Sequence, residues 1–450
     1  MRVCVIGAGA VGLVSGLGLA QLGHGVVCAD IDRSRVEQLN AGRCPIHEAG
    51  LPELLRRHLG RGFSATADVA GAVRAARMSI IAVGTPCRNG AIDLSAVEAA
   101  CAHIGEVLRH QAEFHTVVVR STVVPGTTEQ RLRPILESRA GKRAGEGFGL
   151  AVNPEFLREG SAVHDFLHPD RIVMGACDPR SLEMLEELYR PFAEVARVRT
   201  RPRTAEMIKY ASNAFLATLI SFSNEIANLC AALGGVDASE VMAGLRLDKR
   251  LSPMLASGER LVPPVAEYLE AGCGFGGSCF PKDLAALSAH ARQAGCPLEL
   301  LEAVLRVNER QPRQMIRMLE GHFPRLAGLR VGVLGLAFKP GTDDVRDSPA
   351  LAIIRELLAR GAAVAAYDPV AVPAARALLG ERGIVYCDRL EAALDGVDAV
   401  MVVTRWEEFG RLPQLLAAAG APPPLVIDGR RMLARDSVAR YAGIGLGGEA

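Results

Sequence analysis

The residue that invites chemistry first is Cys279, set in the run Gly274-Phe-Gly-Gly-Ser-Cys-Phe-Pro-Lys-Asp283. Its thiol falls just before an expected helix N-terminus, where the dipole lowers a cysteine pKa and favours the nucleophilic thiolate. Gly276 and Gly277 leave room for a bulky substrate, and Lys282 and Asp283 follow within one turn. The bland alternative is a core cysteine beside a glycine turn. A second constellation is Gly7-x-Gly9-x-x-Gly12, followed by Asp30. Glycines so spaced let a backbone approach a pyrophosphate, the helix N-terminus offers free N–H groups, and an acidic residue about 20 positions on binds ribose hydroxyls. The alternative is a purely structural turn. Asp30 would repel a 2′-phosphate and so favours NAD over NADP, with Arg33 and Arg35 close enough to leave that choice open. Lys209 and Asn213 are four residues apart and share one helical face; read alone, Lys209 is a solvated helix charge.

Such groups need a scaffold. Residues 1–7 read as a short buried strand, 7–12 as a tight turn into a small-residue helix, and 25–29 as a second strand ending at Asp30. Further strands are expected at 78–83, 116–120 and 150–152, with helices such as 94–110 and 129–139 between them. Strands alternating with helices imply a parallel, doubly wound sheet. From 204 to 233 runs a helical pattern without Pro or Gly, long enough to form a spine between domains and a dimer interface. Helices are expected at 238–243, 283–294 and, despite Pro312, 298–318. A second α/β region opens with Arg330-Val-Gly-Val-Leu-Gly, echoing Arg2-Val-Cys-Val-Ile-Gly, with strands at 363–367, 397–403 and 425–427. The expected fold class is α/β: two Rossmann-like doubly wound domains joined by a central helical domain with a long spine helix, divided as 1–200, 201–320 and 321–450. The glycine-rich tail after Arg440 is expected to fray.

Bulk properties exclude several classes. Hydrophobic residues make up 49% and aromatics only 4%, with 47 glycines, which suits α/β units better than an aromatic-rich sandwich. A net charge of +1 gives no global field toward nucleic acid or an anionic membrane, so neither is an expected partner. Residues 3–29 carry no Asp, Glu, Lys or Arg, and a window scan could take them for a membrane helix; strand, turn, helix and strand explain them better. The 11 cysteines show no zinc-ligand spacing, so no metal is expected, and reduced thiols in a cytoplasmic setting are.

The chain resembles the UDP-glucose/GDP-mannose dehydrogenase family over nearly its whole length. The resemblance rests on Arg120-Ser-Thr-Val-Val-Pro-Gly-Thr, Asn153-Pro-Glu-Phe-Leu-Arg-Glu-Gly160, Ala205-Glu-Met-Ile-Lys-Tyr-Ala-Ser-Asn213, the Cys279 loop, and Phe338-Lys-Pro-Gly-Thr-Asp-Asp-Val-Arg-Asp-Ser-Pro349, in the family's order. It implies that Cys279 is a covalent nucleophile in a four-electron oxidation. It also implies that Lys209 and Asn213 face the reacting sugar, and that Asp283 shares a catalytic water with the lysine. Glu155 becomes the base for thioester hydrolysis, Glu159 lies near cofactor and water, and Thr122 bonds that water. Candidate NAD contacts are Gly7, Gly9, Val11, Gly12, Asp30, Arg35, Thr85, Pro86, Thr122, Glu159, Lys282 and Arg346. Candidate substrate contacts are Phe156, Leu157, Lys209, Asn213, Arg250, Phe275, Gly276, Phe338, Lys339 and Arg405.

The second α/β domain lacks a third motif glycine, since Gly335 is followed by Leu-Ala-Phe; the family binds its nucleotide diphosphate there, and Lys339 and Arg346 would supply charge. One departure stands out: the link from Asp248-Lys-Arg250 to the Cys279 loop is longer than usual in the family, beside the route by which the matching Arg reaches a partner subunit. His168-Pro-Asp-Arg-Ile-Val-Met-Gly175 and Gly274-Phe-Gly-Gly favour UDP-glucose, with GDP-mannose and N-acetylated UDP-sugars as alternatives. Rival classes are a two-electron β-hydroxyacid dehydrogenase, which leaves the Cys279 loop unexplained, and an NAD-sensing scaffold. A homodimer through the central domain is expected.

Overall fold

The computed structural model describes residues 1–88, 90–418 and 422–447. The chain forms two compact units, Met1–Ser212 and Asn213–Ala450.

Unit 1 is built on an eight-stranded sheet of β1 (Arg2–Ile6), β2 (Gly25–Ala29), β3 (Phe63–Thr66), β4 (Met78–Ile81), β5 (Thr116–Val119), β6 (Gly149–Val152), β7 (Arg171–Ala176) and β8 (Ala196–Thr200). They lie in the order β8-β7-β6-β5-β4-β1-β2-β3. Alternate residues feed opposite faces. Val3 and Val5 join a core with Leu13, Leu17 and Phe63, while Cys4 and Ile6 join Val117, Val119 and Leu132 on the other side. Covering both faces explains why these strands read as continuous apolar runs. The small residues of the first helix (Ala10–Gln21) have a packing reason: a Cβ on Gly18 would fall 2.2 Å from the Phe166 ring. The sheet departs from the expected all-parallel form at one step. β7 pairs antiparallel with β6, with Ala151 opposite Ala176.

The spine helix, Pro202–Leu233, contains 32 residues and passes from one unit into the other. Proline is tolerated in a first turn, where its missing N–H has no partner to lose, so the helix starts earlier than the sequence pattern suggested. By length and composition it could cross a membrane, a test that long core helices also pass.

Unit 2 carries a six-stranded parallel sheet of β9 (Arg330–Leu334), β10 (Ala363–Tyr367), β11 (Ile384–Tyr386), β12 (Ala399–Val402), β13 (Leu425–Asp428) and β14 (Tyr441–Gly443), ordered β11-β10-β9-β12-β13-β14. Helices Phe280–Gln293, Glu299–Arg310 and Pro312–His322 pack nearby, with Gln311 helical between the last two, so Pro312 begins a turn rather than breaking one. The tail expected to fray after Arg440 is instead packed over residues 441–447, while 448–450 lie outside the described residues. β14 pairs with β13, Ala238 N–H donates to the Gly445 carbonyl at 3.0 Å, and a Cβ on Gly445 would sit 2.8 Å from that of Ala227. The small residues read as flexibility are there to let the backbone close on the spine helix. All eleven cysteines are free thiols.

Candidate active site

In unit 1 the turn after β1 fits a dinucleotide. Gly7 has φ 102°, and a Cβ there would lie 2.8 Å from the Ala82 carbonyl oxygen; one on Gly12 would lie 1.8 Å from the Gly7 oxygen. Gly9 caps the first helix without a side-chain bond, and a Cβ on it would meet nothing within 4 Å. The helix end, with Val11 in its first turn, is thus uncovered by the protein, as a pyrophosphate requires. Asp30 is buried; its carboxylate accepts Ala8 N–H at 2.6 Å and Asp32 N–H at 2.9 Å, and Arg35 pairs with it at 3.3 Å. Thr85 is buried and donates its hydroxyl to the Thr122 carbonyl at 2.8 Å, which joins the ends of β4 and β5; Pro86 beside it is exposed.

Past β6 the chain brings Glu155 against the spine helix. Lys209 Nζ stands 2.9 Å from Glu155 Oε1, both side chains buried, while Glu155 Oε2 accepts the Leu157 N–H at 2.7 Å. Burial alone would push this carboxyl up; the Lys209 ammonium and the Leu157 N–H outweigh it and hold it below the usual glutamate range. Lys209 also lies 5.6 Å from the Phe156 ring centroid, whose face carries the Arg171 guanidinium at 4.0 Å. Glu159 follows on the same loop, partly buried.

Several residues that position this cluster escape a reading of the sequence. Glu48 is buried and accepts the N–H groups of Gly160 at 2.8 Å and Ala162 at 2.9 Å, anchoring the end of the Glu155–Glu159 loop. Arg120 donates to Asn153 Oδ1 at 2.6 Å and to Ser15 Oγ at 2.8 Å, fixing the start of that loop. Glu206, whose carboxyl burial pushes up, accepts Gly126 and Thr128 N–H groups and ties the segment after Thr122 to the spine helix.

In unit 2, Cys279 is half-buried and caps helix Phe280–Gln293, with Pro281 in the first turn and Ser278 Oγ 3.5 Å from its Sγ. Asp283 is 1% exposed. Its carboxylate accepts Asn213 Nδ2 at 2.7 Å and also pairs with Lys282. Lys209 and Asn213 lie about one turn apart on the spine helix. Phe275 packs with Ala214, Ala217 and Leu284, and Asn308 clamps its backbone, accepting its N–H at 2.7 Å and donating to its carbonyl at 2.9 Å. Gly272 is held likewise by Asn224 and Gln311. Nothing local in the sequence marks these buried amides either.

The segment after β9 carries Phe338, Lys339 and Arg346. The Lys339 ammonium lies 5.6 Å from the Phe338 ring, and Arg346 chelates Asp344 at 2.7 and 2.9 Å. Two further arginines also make ion pairs. Arg405 pairs with Glu270 at 3.0 Å and donates to the Arg430 carbonyl. Arg250 is exposed and pairs with its neighbour Asp248, whose carboxyl it draws down to about 2.

Family models match in sequence: the UDP-glucose/GDP-mannose dehydrogenase NAD binding domain over residues 1–193, the central domain over 203–310 and the UDP binding domain over 332–435. The chain belongs to the UDP-glucose/GDP-mannose dehydrogenase family, and its class is that of an NAD-dependent nucleotide-sugar dehydrogenase. It is 44% identical to the UDP-glucose 6-dehydrogenase AglM of Haloferax volcanii, covering 97% of this chain and 98% of that one. It is 42% identical to a UDP-glucose 6-dehydrogenase of Pseudomonas aeruginosa, covering 99% and 97%. The solved structure of a UDP-glucose dehydrogenase from Pyrobaculum islandicum matches with a TM-score of 0.90 at 42% identity, covering 99% of this chain and 98% of that one.

Proposed function

We propose that the protein oxidises the C6 alcohol of UDP-glucose to the carboxylate of UDP-glucuronate, with Cys279 as covalent nucleophile. The observation that carries this reading is the thiol at a helix N-terminus four residues before a buried Asp283 held by Asn213 and Lys282. NAD, when bound at the turn after β1, supplies the hydride acceptor for each of two oxidations. The alcohol loses a proton and a hydride to become an aldehyde, while Lys209 and Asn213 stabilise the oxygen's negative charge. Cys279 Sγ adds to the aldehyde carbon, and the thiohemiacetal keeps a reactive intermediate bound. Loss of its hydroxyl proton and second hydride leaves a thioester. Water then attacks the thioester carbon and the C–S bond breaks, releasing the acid and the thiolate. Glu155, held ionised by Lys209, takes the water's proton; Thr122, Glu159 and Asp283 orient that water. Phe338, Lys339 and Arg346 hold the nucleotide diphosphate. Exposed Phe215, Phe222 and Leu229, seven residues apart on the spine helix, support a homodimer in which a second copy covers this stripe. The setting proposed is cytoplasmic.

The test is the NADH yield per mole of limiting UDP-glucose, with GDP-mannose and a UDP-N-acetylhexosamine in parallel. Two NADH from UDP-glucose is the expected result. Two from another sugar overturns the substrate, and one NADH overturns the four-electron chemistry. Cys279→Ser should bind sugar and form almost no acid; wild-type acid formation would sink the covalent role.

A further inference from the structure

Residues 338–348 form a braced segment. The Phe338 N–H donates to the Asp344 carbonyl at 3.1 Å, the Thr342 hydroxyl accepts the Asp344 N–H, and Arg346 chelates the Asp344 carboxylate. Ser348 then caps helix Pro349–Ala359. This segment meets the nucleophile loop along the backbone. Gly277 N–H donates to the Arg346 carbonyl at 2.7 Å. A Cβ on Gly276 would fall 2.3 Å from the Asp347 carbonyl oxygen, and one on Gly277 would fall 2.6 Å from the Phe338 ring. Gly277 has φ 84°. These contacts set the Arg346 and Asp347 carbonyls directly against the backbone that leads to Cys279, two residues on.

Asp347 gives the segment its shape. Its φ is 50°, and among the described residues only Arg431 shares a positive φ without being glycine. That conformation costs free energy for a side chain, and such positions persist where the surroundings demand them. Arg346, adjacent to it, holds Asp344 by the same guanidinium that a diphosphate would compete for. Release of Asp344 by Arg346 is therefore a route from an anion at the nucleotide site to the carbonyls that seat Gly276 and Gly277.

We propose that Asp347 is a positioning residue whose left-handed backbone clamps the diphosphate-binding segment onto the glycines beside Cys279, so that nucleotide occupancy sets the reactivity of the nucleophile. The inference rests on the proposed roles of Cys279, Lys339 and Arg346. The probe is UDP, which lacks the sugar. The readout is the rate of Cys279 alkylation by iodoacetamide, followed by mass spectrometry with and without saturating UDP. The wild type and Asp347→Gly, which accepts a positive φ without steric cost, should change rate about fivefold on adding UDP, a coupling of ordinary allosteric size. Asp347→Val, with a β-branched side chain opposed to that φ, should bind UDP by calorimetry yet keep its alkylation rate. It should also lose kcat with KM for the sugar nucleotide nearly unchanged. Simple shielding of the thiol by UDP would slow both variants alike and overturn the proposal. So would an unchanged wild-type rate with UDP bound. Should Asp347→Val not fold or not bind UDP, Asp344→Asn decides: freed of its chelate, it should show the UDP-bound rate without UDP, and a wild-type rate there overturns the proposal. Full activity after complete alkylation of Cys279 would instead defeat the nucleophile assignment, whatever UDP does.

Discussion

After β1 the chain turns through Gly7, at φ 102°, and enters a helix at Ala10; after β9 it turns through Gly335, at φ 89°, and runs on to Pro349 before a helix begins. The two turns are otherwise alike. Gly7 N–H donates to Ala29 and Gly335 N–H to Tyr367, each at 2.8 Å, and each next strand is followed by an aspartate that accepts N–H groups from the turn. Their acids differ in employment. Asp30 accepts two backbone N–H groups and meets Arg35, leaving capacity for a ribose. Asp368 accepts Leu336, Ala337, Val370 and Ala371 N–H groups and the Trp406 indole, all inside the protein. One supersecondary start thus serves a dinucleotide in one unit, while in the other it is a brace beneath the segment that carries Lys339 and Arg346. The fold is shared, and the ligand is decided by the residues on the far side of the turn.

The largest effect should come from removing that brace. Asp368→Ala orphans five donors, and at about 1–3 kcal/mol for each buried unsatisfied group the loss should be roughly 5 kcal/mol after partial rehydration. Urea unfolding measures it, and a loss below about 1 kcal/mol would mean that Asp368 is no brace. A carboxylate held by an ammonium as well as an N–H group behaves differently with pH. The folded pKa of Glu155 lies below its unfolded value, so its pairing contributes stability above the unfolded carboxyl range, lost as pH falls through the folded value. In Lys209→Met burial is opposed only by the Leu157 N–H and the Arg120 charge, and that pKa rises. The variant should be less stable by about 3–5 kcal/mol at pH 7, the deficit shrinking as the medium is acidified through the glutamate range. A deficit independent of pH would mean that the pair is not ionic.

Gly335→Ala and Gly9→Ala test the turns themselves. A Cβ on Gly335 would lie 2.4 Å from Thr404 Cβ with φ already positive, whereas one on Gly9 meets no protein atom. The first should cost roughly 2–3 kcal/mol of stability and spare NAD affinity. The second should leave the urea midpoint in place and weaken NAD about tenfold, or 1.4 kcal/mol. Equal effects on folding at both positions would erase the distinction.

How much of this is legible in the sequence depends on the range of each interaction. The turn, Asp30 and the alternation of strands and helices rest on neighbours in the chain, and local patterning reports them. β3, β7, β8, β11 and β14 are missed, together with the antiparallel step, because strand pairing joins residues with no local cue; Ala151 meets Ala176 only in the sheet. Glu48 reaches Gly160 across 112 residues and Asn224 reaches Gly272 across 48, and a polar residue bound to a distant backbone looks in sequence like any surface polar residue. Arg405 is readable as a cation but not as Glu270's partner. The tail misleads for the converse reason: glycines that signal flexibility when isolated signal close packing when a helix lies against them.

The smallest effect concerns the choice between cofactors. Arg35 is 3.3 Å from Asp30 and 38% exposed along its side chain, so the carboxylate both repels a 2′-phosphate and occupies the Arg35 guanidinium. Asp30→Asn keeps an oxygen for the Ala8 N–H and removes the charge, which frees Arg35. Stability should fall by less than about 1 kcal/mol, NAD should bind several-fold more weakly, and the preference for NAD over NADP should narrow about tenfold, measured as the ratio of kcat/KM values. The same change at Asp368, whose bonds all lie within its own unit, should leave that ratio where it was. If Asp30→Asn also leaves it, then Asp30 is a second brace, and the two turns differ less than their surroundings suggest.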